Sequence, residues 1–137
     1  PDQRSAMPSA VPSLIYPVGG CSDAISLYTS LLPNCELVEK TEAPEGGVLV
    51  AKVMIGDLLV YMADGNHGGV VHNWEFTPGV SLLVEVGDEE AVVRIHDAFI
   101  EDGGSTLMEP AEVPPFGKLA FLADRFGVNW QLVARGI

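Results

Sequence analysis

The side chains able to do chemistry are few and far apart. His67 and His72 lie in the segment Asp64 to Thr77, which also holds Gly65, Asn66, Gly68, Gly69 and Asn73. Two imidazoles so placed, with Asp64 or Glu75, offer nitrogen and carboxylate oxygen to a divalent metal. The plainer reading is a solvated loop, because no helix or strand fixes the spacing. Cys21 stands near an expected helix start, where the dipole lowers a thiol pKa, but no base is placed beside it. Cys35 reads as structural. Two cysteines make no disulfide framework, so a reducing cytoplasmic setting is the default expectation. His96 reads as a packing histidine rather than a general base. Trp74, beside Glu75 and Phe76, either walls a pocket or packs a linker.

These residues must be positioned by a chain of 137 residues, long enough for one compact domain or two small halves sharing a core. Hydrophobic residues make up 47% and mean hydropathy is +0.26, which argues for a filled core and against disorder. No apolar run approaches the ~20 residues that span a bilayer. Acidic residues outnumber basic ones 19 to 7, for a net charge of −12, which repels nucleic acid and anionic membranes. Residues 1–10 read as a leader, a tag or a disordered end.

Periodicity orders the elements as strand Val11 to Val18, helix to Leu32 capped by Ser22 or Asp23, and strands Cys35 to Thr41, Val48 to Ile55 and Leu58 to Ala63. After residues 64–77, read as a linker, the pattern returns. A strand runs from Gly79 to Val86. A helix follows with Asp88 as N-cap and ends at Gly103-Gly104. Strands Ser105 to Glu109, Lys118 to Ala123 and Val128 to Ala134 close the chain, with Pro110 to Phe116 as a turn-rich connection. The halves repeat: at an offset of 68, Ser13-Leu14 falls on Ser81-Leu82, Val18-Gly19 on Val86-Gly87, and Ala24-Ile25 on Val92-Val93. At 71, Gly56 falls on Gly127 and Ala63 on Ala134. The fold expected is α+β: two tandem βαβββ modules, 11–63 and 78–135.

A tandem repeat of this kind ending in Asp124-Arg-Phe-Gly-Val-Asn-Trp-Gln131 resembles the vicinal oxygen chelate superfamily of glyoxalases, bleomycin resistance proteins and dioxygenases. Within it the chain is most similar to the PhnB-like branch, often labelled demethylubiquinone methyltransferase-like. Ala24-Ile-Ser-Leu-Tyr28 and Phe76-Thr-Pro-Gly-Val-Ser-Leu82 carry the resemblance further. No glycine-rich turn opens a helix with a following acidic residue, as a methyl-donor nucleotide site would want.

The resemblance implies curved mixed sheets forming a cup, in which active members hold a divalent metal on the first and last strands of each module. Here those places fall on Ser13, Ser81, Gln131 and, by the repeat offset, Val60, with Met62 on the same face as Val60. Hydroxyl, amide and aliphatic side chains bind such a metal poorly, so no metal and no cofactor is expected. A cup lined by Ser13, Ile15, Val60, Met62, Ser81, Leu83 and Gln131, with Trp74 as an aromatic wall, is suited to a small apolar ligand. The expected function is metal-independent small-molecule binding by a homodimer, with exchange of modules through the linker open to it. The alternatives are a metal-dependent enzyme with non-standard ligands, Glu36 and Glu85 or His67 and His72, and a structural or regulatory dimer. No catalytic residue is assigned.

Overall fold

Along Val48–Ile55, the side chains of Ala51, Val53 and Ile55 go to the core while Lys52 and Met54 stay half-buried on the other face. This two-residue alternation marks a strand with one face packed and one open. The same rule operates throughout the computed structural model, which describes residues 9–17, 19–65 and 74–137. Its elements are β1 (Ser13–Tyr16), α1 (Cys21–Leu31), β2 (Cys35–Glu42), β3 (Val48–Ile55) and β4 (Leu58–Asp64), then β5 (Leu82–Glu85), α2 (Glu89–Glu101), β6 (Ser105–Glu112), β7 (Lys118–Ala123) and β8 (Asn129–Val133). They form two four-stranded mixed sheets, ordered β1-β4-β3-β2 and β5-β8-β7-β6. In each, the first strand runs parallel to the last and the other neighbours are antiparallel. This is the expected α+β pair of βαβββ modules.

Both helices and the packed faces of both sheets meet in one apolar cluster. Tyr28 of α1 lies 4.9 Å from Trp130 of β8, and Phe99 of α2 stacks on Trp130 at 5.8 Å. An aromatic ring fully buried removes roughly 150–250 Å² from water, worth roughly 4–6 kcal/mol of transfer free energy. A polar chain threads this cluster. The Tyr16 hydroxyl donates to Tyr28 Oη at 3.0 Å, and Tyr28 donates to Asp124 Oδ2 at 2.6 Å. Trp130 Nε1 donates to the same oxygen at 2.9 Å, while the backbone N–H groups of Phe126 and Val128 reach Oδ1. Burial pushes the Asp124 carboxyl above its ordinary value, and these donors pull it back only in part. Asp124 therefore closes its own turn, where Gly127 takes a φ of +92°, and ties the second module to α1 of the first.

Three expectations are corrected. Helix α1 is not capped by Ser22 or Asp23. Gly20 takes the N-cap place without a side-chain bond, and Asp64 at the end of β4 accepts from Cys21 N at 2.9 Å instead. Asp64 also accepts from Val48 N, so this residue, expected in the linker, is buried in the first module. Helix α2 does start as expected, with Asp88 accepting from Ala91 N at 2.7 Å. Strand β6 continues through Pro110 to Glu112. It is an outer strand with a register shift between Met108 and Ala111, where a missing N–H is tolerated. Val18 and residues 66–73, including His67 and His72, lie outside the described residues.

Candidate functional site

Strands β1 and β5 end their sheets and are four residues each. Tyr16 and Val84 go to the core. By alternation Ser13 and Ile15 on β1, with Leu83 and Glu85 on β5, face the other way. Rows across the sheets follow from the strand registers. In the first module the row is Ser13, Tyr61, Lys52 and Glu39. In the second it is Leu83, Gln131, Phe121 and Met108. The first row is polar, with Lys52 paired to Glu39 at 3.3 Å and lying 5.6 Å over the Tyr61 ring. The second is apolar apart from Gln131.

Where β1 and β5 approach each other, Ser13 and Ser81 line one cleft of about 400 Å³. Its apolar walls include Leu14, Phe76, Val80, Leu82 and Val128, and Glu75, Thr77 and Asn129 add polar groups. Gln131 Nε2 donates to Ser81 Oγ at 2.9 Å. Ser13 and Ser81 thus share one cleft, and Gln131 is hydrogen-bonded to Ser81. Trp74 is 56% exposed and stands next to Glu75 and Phe76 of the wall. Leu83 lines a second cleft of about 640 Å³, with Ser81, Glu85, Ile55 and Leu58. Ile15 shares the face of Ser13 but lines neither cleft.

Val60 and Met62 lie on the opposite face from the one expected. Both are fully buried in the core, and Tyr16 Oη reaches Met62 Sδ at 3.7 Å. The physical reason is register. Ile15 pairs with Ala63, and Leu83 pairs with Gln131. Both strands of the pair therefore repeat at one offset, and the first-module counterpart of Gln131 is Ala63. An offset drift inferred from glycines in the turns moved that assignment by three residues, an odd number that reverses the face.

The four places at which related folds hold a metal thus carry Ser13, Ala63, Ser81 and Gln131. None supplies imidazole or carboxylate, and among the described residues no group of three or more His, Cys, Asp or Glu side chains is placed to hold an ion. These residues do not fit a divalent metal. Glu36 and Glu85 line separate recesses. His96 is buried between Thr106 and Asp97, each 2.9 Å from a ring nitrogen. Burial pushes the Cys21 thiol up to about 12 and that of Cys35 to about 11, which removes both as nucleophiles near neutral pH.

Asn129 was missed by sequence reasoning. It stands two residues before Gln131 and therefore on the same face, a signal that was readable once Gln131 had been placed.

The family model described as 3-demethylubiquinone-9 3-methyltransferase matches residues 8–133. Among solved structures, a PhnB protein from Bacillus cereus is similar at 28% identity, with a TM-score of 0.77 over 92% of this chain and 98% of that one. A protein from Pseudomonas aeruginosa is similar at 25% identity and TM-score 0.71, over 93% and 97% of the two chains. A glyoxalase/bleomycin resistance protein from Albidiferax ferrireducens shares the fold at 18% identity and TM-score 0.63, over 93% and 100%. No curated protein sequence matches the chain.

Proposed function

The chain belongs to the PhnB-like 3-demethylubiquinone-9 3-methyltransferase family of the glyoxalase fold, and from that premise we propose that it binds a small molecule without a metal. One observation carries the reading. The cleft at the β1–β5 seam holds Ser13 and Ser81, with Gln131 hydrogen-bonded to Ser81, among apolar walls, and among the described residues no three His, Cys, Asp or Glu side chains converge there to hold an ion. An apolar pocket with a few converging polar groups is the usual makeup of a ligand site. The walls supply affinity by burying apolar surface, and Ser13, Ser81 and Gln131 orient the ligand. Ile15 and Leu83 extend the apolar face, and Trp74 flanks the mouth.

The reading includes a homodimer. Leu37 and Val38 on β2 and Leu107 on β6 remain exposed, and apolar side chains left on these outer strands favour a second copy. Sedimentation velocity at micromolar concentration is expected to give the mass of two chains, and a single chain throughout would refute the dimer.

The metal question is tested on the purified protein by elemental analysis and by thermal unfolding in nickel, zinc, manganese and iron(II). The expected result is no stoichiometric ion and no shift in the transition. An ion near one per chain, or stabilisation of about 2 kcal/mol or more at saturating ion, would overturn the metal-independent reading.

A further inference from the structure

Asn129 is 2% exposed and lines the cleft between β1 and β5. Its Nδ2 donates to Gly127 O at 3.2 Å. This contact settles which end of the amide is which, because the reverse orientation would place two acceptors together. Its Oδ1 is then a buried acceptor with no hydrogen-bond partner among the described residues. Buried polar atoms are nearly always paired, and an unpaired one calls for an explanation. Core packing gives none here, since Asn129 lies on the Gln131 face of β8, away from the apolar cluster of Trp130 and Leu132.

The neighbour across the strand pair supplies the complementary group. Leu82 pairs with Trp130, so Ser81 stands beside Asn129, and both line the cleft. Ser81 Oγ accepts from Gln131, which leaves its O–H to donate elsewhere. The cleft therefore offers one acceptor and one donor side by side, with Leu14, Phe76, Val80, Leu82 and Val128 around them. We propose that Asn129 is the specificity-determining residue of this cleft and that the ligand is a neutral molecule with an amide edge on an apolar body. Its N–H donates to Asn129 Oδ1 and its carbonyl accepts from Ser81. A primary carboxamide, a lactam or a ureide has this edge. An anion is disfavoured because Glu75 is the ionisable group among the described residues that line the cleft.

The inference rests on the small-molecule reading above, and the test separates the two. Benzamide and acetophenone have nearly the same shape and both present a carbonyl, but only benzamide has the N–H. Each is titrated into the intact protein while backbone amide shifts of Leu14, Leu82 and Val128 are followed by NMR. Benzamide is expected to bind at these residues about tenfold more tightly than acetophenone, the order of one hydrogen bond to a buried acceptor. Asn129→Leu is expected to erase the preference, and Ser81→Ala to weaken both probes. Equal affinities on the unmodified chain, as for an Oδ1 already served by an ordered water, would overturn the assignment of Asn129 and leave the binding reading standing. No shift at these residues with either probe would overturn both.

Discussion

Tyr28 and His96 occupy the same place in the two halves, sixty-eight positions apart in the repeat, yet they do opposite things. Tyr28 reaches across to the second module, accepting from Tyr16 and donating to Asp124. His96 stays within its own module, bonded to Thr106 of β6 and to Asp97. Tyr28→Phe keeps the ring and removes the hydroxyl, leaving a buried carboxylate short of one donor. The expected loss is about 1–3 kcal/mol in urea unfolding. Asp124 also gives a pH dependence. Burial raises its folded pKa above the ordinary carboxyl value, so the native state holds the proton more tightly than the unfolded chain. Its contribution to stability is then full below the unfolded pKa and is lost as pH rises through the folded value. The stability difference between wild type and Asp124→Asn should accordingly be larger near pH 4 than near pH 7, and a difference that grows with pH would contradict this. The thiols give a simpler expectation. With values near 12 and 11, Cys21 and Cys35 should resist iodoacetamide in the folded protein at pH 8 and react once it is unfolded.

Asp64 shows what local sequence reasoning sees and what it does not. The capping rule found Asp88 because that residue caps its own helix three positions ahead. It failed at α1 because the capping carboxylate comes from the end of β4, forty-three residues away. Asp64→Ala removes bonds to two buried backbone N–H groups and should cost roughly 2–4 kcal/mol, against about 1 kcal/mol for Asp88→Ala. Denaturant unfolding of the two variants ranks them. Strands β3 and β7 were legible to the residue because alternation and a following turn bound them. The order of elements and the doubled module were legible for the same reason. The site was legible only in part. Ser13 and Ser81 line one cleft and Gln131 bonds to Ser81, but the face of Val60 and Met62 depended on pairing register, which an offset between turn glycines does not determine. Gly104 illustrates another contact the sequence hides. A Cβ there would stand 2.7 Å from Ala123 O and 2.9 Å from Phe99 O, a clash that no local pattern announces.

Across the whole molecule the two modules share one core and one chain of hydrogen bonds. Neither can lose its packing without exposing the other's. Unfolding should therefore be a single cooperative transition, with far-UV circular dichroism and the calorimetric heat coinciding; two separated steps would contradict a shared core. The same arrangement sets the two indoles in contrasting surroundings. Trp130 is sealed from solvent with its N–H on the Asp124 carboxylate and Tyr28 close by, whereas Trp74 is 56% exposed beside the cleft. The protein thus carries two intrinsic light sources with separate duties. Emission from Trp130 reports whether the halves are joined, and emission from Trp74 reports what comes to the mouth of the cleft. A Trp74→Phe chain would keep the first signal and lose the second, so that acrylamide, which quenches only what it can touch, would leave its fluorescence nearly unchanged until the protein unfolds.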